Sequence, residues 1–190
     1  MLARLRTASQ VVVVGAGFIG LEVAVIASAM GLKVHVLETA GRALQRAVSA
    51  DVASFLVQAL ESRGVGFRFG TKVEAIDGDG GTVHAIRTSD GARIPADLVV
   101  VGIGVEPNAS LAAEAGLSVD DGIAVDERLL TADPCISAIG DCARFPAPYS
   151  QAPVRLESVQ NAVDQARCVA ARLAGRSQTY DRVPWFWSEQ

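Results

Sequence analysis

The chain has little of what builds metal centres or redox disulfides. Its 190 residues include three cysteines (Cys135, Cys142 and Cys168) and two histidines (His35 and His84). The cysteines form no CxxC pair and no zinc spacing, and two histidines are too few for a metal cluster. No metal site and no thioredoxin-reductase-like disulfide is therefore expected in this part of the chain. The cysteines are expected to be reduced structural thiols lining a buried strand, as in a cytoplasmic protein. Basic residues are sparse as well. The 17 Lys and Arg are scattered without a run, and the net charge is −4 with a pI near 5.2, which argues against a nucleic-acid binder.

No uninterrupted membrane span is present either. Residues 11–32 are apolar enough to mimic one, but Gly15-Ala16-Gly17 breaks the run and Glu22 puts a charge in its middle. Residues 1–6, MLARLR, have no apolar run of signal-peptide length and read as the interior of a linker helix. A cytoplasmic protein with no membrane partner is the expectation. No Ser/His/Asp or Cys/His set suggests a side-chain nucleophile.

What is present is half hydrophobic, rich in Ala and Val, with 18 glycines for turns. That profile fits a globular α/β protein, one domain plus a fragment of another. Residues 11–14 are four valines, β-branched on both faces, and predict a strand buried on both sides of a parallel sheet. A glycine turn follows, then a helix over 18–30 ended by Gly31, and a second strand over 33–38. Ser49 opens a further helix whose apolar positions are Val52, Phe55, Leu56, Ala59 and Leu60. Short strands are expected over 65–69, 72–76, 82–88 and 93–94. The Asp- and Gly-rich turns at 77–81 and 89–91 suggest an antiparallel meander. Residues 97–102 return to the buried sheet, and a short helix is expected over 110–114. After that come a segment at 122–126, a short buried strand over 136–139, a Pro-rich loop, and a long helix over 157–173 closed by Gly175.

The sequence VVVVGAGFIG places Gly15, Gly17 and Gly20 in a GxGxxG pattern directly after a predicted strand and at the start of a helix. In that context Gly15 makes the turn, Gly17 lets backbone N–H groups approach a pyrophosphate, and Gly20 allows close helix–strand packing. The phosphates would sit at the helix N-terminus. Glu38 lies 18 residues past the third glycine, close to the roughly 20 at which an acid is wanted for the adenosine ribose hydroxyls. Its charge would repel a 2′-phosphate, which favours NADH over NADPH, although Arg42 is nearby. Glu22 sits early on the helix, facing the cleft. A carboxylate capping a neighbour is its plain structural alternative.

The motifs GAGFIGLEVA, VVVGIGVEPN, TADPCISAIGDCA, RLESVQNAVDQARCVAARLAG and VPWFWSEQ occur in that order. With them the whole chain resembles the FAD/NAD(P)-dependent pyridine nucleotide-disulfide oxidoreductase superfamily. Within it, the similarity is to ferredoxin reductases of the putidaredoxin reductase and rubredoxin reductase type, which serve cytochromes P450 and ring-hydroxylating dioxygenases. The resemblance implies an oxidoreductase using FAD and NADH and passing electrons to a small [2Fe–2S] ferredoxin. It places Glu22 near the nicotinamide carboxamide, Gly102 and Gly104 on the nicotinamide side, Asp141 and the backbone of Val159 on FAD, and Trp187 near the flavin ring. The implied organisation is an NAD-binding Rossmann-like domain over 1–116, the C-terminal part of an FAD-binding domain over 117–175, and a linker or tail over 176–190. Only one glycine fingerprint is present, so the chain is expected to be the middle of a larger enzyme and inactive by itself. An NADH oxidase, a nitrite reductase subunit and a non-catalytic NADH-binding module are the rival readings.

Overall fold

Four successive valines leave neither face of a strand suited to water, and the computed structural model puts them at the centre of a sheet. Residues 1–176 and 178–189 are described. Ser177 and Gln190, both in the expected tail, lie outside the described residues. Among the described residues two units are distinguished: residues 1–104 with Ser188 and Glu189, and residues 105–176 with 178–187.

The first unit runs α1 (Leu2–Leu5), β1 (Gln10–Val14), α2 (Phe18–Ala29), β2 (Lys33–Leu37), α3 (Ala50–Glu61), β3 (Val65–Arg68), β4 (Val73–Asp79), β5 (Thr82–Thr88), β6 (Arg93–Pro95) and β7 (Leu98–Val101). A four-stranded parallel sheet has the order β3-β2-β1-β7, with Val11 beside Val34 on one side and Leu98 on the other. Because side chains alternate along a strand, Val11 and Val13 join one core layer and Val12 the other. The first layer takes Leu21, Val23, Ala24 and Ala27 of α2 with Leu60 of α3. The second packs Val12 and Leu37 against Ile86, Ile94 and Ala96. An antiparallel meander, β4-β5-β6, thus covers the sheet face opposite the helices.

Two expectations for this unit are corrected. The strand expected over 65–69 belongs to the parallel sheet as β3, not to the meander. A Cβ at residue 66 would come within 2.8 Å of His35 Nδ1, so Gly66 is what lets the His35 imidazole fit beside β3. The buried face of α3 is also rotated from the expected one. Ala53 and Leu60 are buried with Leu56 and Val57 packed beside them, whereas Val52 and Phe55 are exposed, Phe55 at 70%. Residues 53, 56, 57 and 60 repeat at helical spacing just as well as the other set, and only the position of the sheet selects between them.

The second unit holds α4 (Ser110–Glu114), β8 (Ile123–Ala124), a 3-10 turn at Gly140–Cys142, β9 (Ala143–Phe145), β10 (Val154–Arg155) and α5 (Val159–Leu173). β9 pairs parallel with β8 and antiparallel with β10. Leu129, Phe145, Ala147, Cys168 and Tyr180 form its core, with Phe145 and Tyr180 edge to face at 5.2 Å. The buried strand expected over 136–139 does not form. One isolated bridge joins Ser137 to Leu130, and Ile136 and Ile139 are 38% and 37% exposed. A strand needs a neighbour along its length, and a single bridge does not supply one. The expected setting of the cysteines fails for the same reason: Cys135 is exposed and Cys142 half-buried, while Cys168 alone is buried, on α5.

Among the described residues no helix is long and apolar enough to cross a membrane, and no group of three or more His, Cys, Asp or Glu could hold a metal ion.

Candidate functional site

In an open parallel sheet, ligands bind outside the carboxyl ends of the strands where the strand order reverses. In the order β3-β2-β1-β7 that point lies between β1 and β7. The glycine turn after β1 meets Gly102 there. The N–H of Gly102 donates to the Val14 carbonyl at 2.8 Å, and a Cβ at residue 15 would stand 2.3 Å from the Gly102 carbonyl oxygen. Gly15 has φ +102, so both its backbone conformation and its surroundings require glycine. A Cβ at residue 20 would lie 2.0 Å from the Gly15 carbonyl oxygen, which is the close helix–strand approach expected of Gly20.

Gly17 is different. It is the N-cap of α2, with extended backbone, and a Cβ there would meet nothing within 4 Å. The space above Gly17 is open at the N-terminus of a 12-residue helix whose first N–H groups have no intrahelical partner. Such an opening fits a pyrophosphate.

Glu38 follows β2 at the same sheet edge. Its Oε2 accepts the Ala16 N–H at 2.8 Å, and its Oε1 accepts the Ala40 N–H at 2.8 Å and the Thr39 hydroxyl at 3.2 Å. Burial pushes its pKa up, but the hydrogen bonds from Ala40, Ala16 and Thr39 outweigh that, so the carboxyl sits below its ordinary 4.5 and is ionised at neutral pH. Arg42 spends its guanidinium on loop carbonyls, donating to Ala43 at 3.3 Å and Gln45 at 2.9 Å. Glu22, half-buried on α2, accepts the Ser188 hydroxyl at 2.5 Å. Gly104 has φ +131 and lies beyond β7.

The second unit carries a cleft of about 570 Å³ lined by Asp141, Glu157, Val159, Ala162, Val163 and Phe186, among others. It is apolar apart from its carboxylates and Ser158, the usual character of a small-molecule cleft. Gly140 turns with φ +73 against Ala162, and its N–H donates to the fully buried Gln165 Oε1 at 2.7 Å. This bond fixes the Gly-Asp turn against α5. The helix starts at Ser158, whose hydroxyl accepts the Asn161 N–H, and Val159 stands in its first turn, 65% exposed to the cleft side. Asn161 is held in turn by the Tyr180 hydroxyl at 3.0 Å. Trp187 is about half exposed and pairs with Trp185, ring centroids 4.9 Å apart.

The structure thus gathers Gly15, Gly17, Gly20, Glu38 and Gly102 at one sheet edge, and Asp141 and Val159 in one cleft. Sequence reasoning missed Glu157, Phe186 and Gln165. Gln165 had a legible signal, since it is a polar residue among the apolar positions of α5.

A glycine turn between β1 and α2 with an acid at the end of the next strand is the pattern of a dinucleotide-binding fold. The chain belongs to the pyridine nucleotide-disulphide oxidoreductase family, whose model matches residues 2–166. It is 52% identical over 190 residues to rhodocoxin reductase of Rhodococcus erythropolis, covering all of this chain and 44% of that one. It is 45% identical over 184 residues to putidaredoxin reductase CamA of Pseudomonas putida, covering 96% and 44%. Among solved structures it is similar to the ferredoxin reductase for the CYP199A2 system of Rhodopseudomonas palustris, with a TM-score of 0.96, 49% identity, and coverage of 99% of this chain and 46% of that one. The chain therefore spans less than half the length of these relatives.

Proposed function

We propose that the chain supplies the NADH site and one wall of the FAD site of a flavoprotein reductase that delivers electrons to a [2Fe–2S] ferredoxin. The observation that carries this reading is the open space above Gly17, beside an ionised Glu38 at the switch point of the sheet. The similarity to rhodocoxin and putidaredoxin reductases, and to the covalent putidaredoxin reductase–putidaredoxin complex at a TM-score of 0.90, supports the acceptor class. In this assignment residues 1–116 form the NAD-binding domain, 117–175 belong to the FAD-binding domain, and 176–190 are a linker.

When bound, the two cofactors supply hydride transfer and single-electron release. The protein's part is placement. The N–H groups at the start of α2 hold the pyrophosphate, and Glu38 accepts from the adenosine ribose and repels a 2′-phosphate. Gly102 and Gly104 leave the nicotinamide side clear, with Glu22 directed to its carboxamide. Asp141 accepts from the ribitol chain of FAD, the Val159 N–H faces the isoalloxazine end, and Trp187 lies near the flavin ring.

Calorimetric titration of NADH and NADPH, with visible flavin absorbance of the FAD-incubated protein, tests the reading. NADH binding well above NADPH, with Asp141→Ala lowering flavin retention, is the expected result. Equal affinity for both nucleotides would remove Glu38 from its role. NADH binding in a protein that takes up no flavin would leave only an NADH-binding module.

A further inference from the structure

The cleft of the second unit carries two carboxylates on one wall, Asp141 and Glu157. Like charges placed together there would oppose one another and any anionic ligand. Behind that wall lies Arg155 of β10, its side chain only 10% exposed. Its Nη1 donates to Glu157 Oε1 at 2.5 Å and to the Asp141 carbonyl at 3.2 Å, while its Nε and Nη2 reach Asp121 Oδ1 at 3.1 and 3.0 Å. A single guanidinium therefore joins the Gly-Asp turn, the residue before the Ser158 cap of α5, and the loop before β8. Burial works against its charge, but the hydrogen bonds to Glu157 and Asp121 outweigh that and push its pKa up.

The local backbone is arranged around this side chain. Asp121 has φ +47 and Gly122 φ +120. A Cβ at residue 122 would stand 2.9 Å from Arg155 Cδ and 2.9 Å from the Cys142 carbonyl oxygen, so glycine opens the channel through which the arginine passes. Glu157 is neutralised by this contact. Among the described residues the Asp141 carboxylate makes no hydrogen bond or ion pair, and only its backbone carbonyl is held.

We propose that Arg155 is a positioning residue for the flavin cleft: it fixes the Asp141 turn through its carbonyl and occupies Glu157, leaving Asp141 as the one carboxylate free to accept from the hydroxyls of a flavin's polyol chain. The proposal rests on the reading that this cleft takes a flavin. A lysine cannot serve the three acceptors at once, because it lacks the planar fork of donors.

The test compares the unaltered chain with Arg155→Met and Arg155→Lys in two measurements. Amide hydrogen exchange at Gly140, Asp141 and Cys142 needs no ligand. Riboflavin affinity by fluorescence quenching probes the polyol and ring without phosphates. Arg155→Met is expected to speed exchange at these three amides by about tenfold or more and to weaken riboflavin by a similar factor, the scale of a lost charged hydrogen bond. Arg155→Lys should also speed exchange at these amides and weaken riboflavin several-fold, while exchange at Val12 and Val13 and NADH affinity stay unchanged throughout. Exchange and riboflavin affinity at unaltered levels in both variants would overturn the proposal, as would a rise in exchange spread evenly over the whole chain. If the unaltered chain binds no riboflavin, the flavin reading of the cleft fails and with it the polyol role. Exchange at the three amides would then still decide whether Arg155 holds the turn.

Discussion

The carboxylate of Glu38 accepts the N–H of Ala16 at 2.8 Å, tying the end of β2 to the glycine turn that follows β1. An acid expected to face a ribose also holds the loop expected to face the phosphates. Glu38→Ala should therefore cost NADH affinity on two counts, about 1–3 kcal/mol if one charged hydrogen bond dominates, and should speed exchange of the Ala16 amide in the absence of nucleotide. Because the folded-state pKa lies below the ordinary 4.5, the stability Glu38 contributes is present above that pH and is lost as pH falls through the lowered value. Calorimetry and acid titration of the two proteins check both points.

The fingerprint glycines separate binding from folding. Gly17→Val places its side chain in open space, so melting and circular dichroism should be preserved while NADH binding is abolished. Gly20→Ala drives a Cβ to 2.0 Å from the Gly15 carbonyl oxygen and should lower the melting temperature outright. A Gly17→Val protein with normal NADH affinity would move the site elsewhere.

Gln165→Leu removes the acceptor of the Gly140 N–H inside the second unit. An unsatisfied buried donor costs about 1–3 kcal/mol. Chemical denaturation should register that loss, and exchange at Gly140 should rise with it.

The Tyr180 hydroxyl is pushed up to about 12, first by burial and then by the nearby negative charge of Asp164. With the folded pKa above the ordinary 10.0, its stabilisation is complete below pH 10.0 and is lost as pH rises towards about 12. The loss should be on the order of 2 kcal/mol. Tyr180→Phe is expected to be less stable at neutral pH, since Asn161 loses its donor. Its denaturation midpoint should also lack the part of the alkaline decline that the tyrosine causes.

On α3, Leu60→Ala should cost about 2–5 kcal/mol by opening a cavity, because Leu60 is 2% exposed. Phe55→Ser should change stability little, since Phe55 is 70% exposed. The opposite order would restore the apolar face read from periodicity.

That last contrast shows where sequence stops. The parallel core, the glycine turn and the acid after β2 were all legible, because each depends on contacts or backbone angles within a single βαβ unit. A run of valines must be largely buried whatever surrounds it, as Val11, Val12 and Val13 are, and Gly15, with φ +102, has to be glycine. The face of α3 that turns inward, the sheet that β3 joins and the failure of residues 136–139 to form a strand depend on neighbours far away in the chain. Local periodicity permits more than one answer to each. The same holds for the cleft in the second unit. Asp141 could be picked out from a Gly-Asp motif, but Glu157, Gln165 and Arg155 gain their roles only when β10 and α5 bring them against the 140–142 turn. Long-range packing decides which polar side chain meets which backbone group, and no spacing along the chain encodes that meeting.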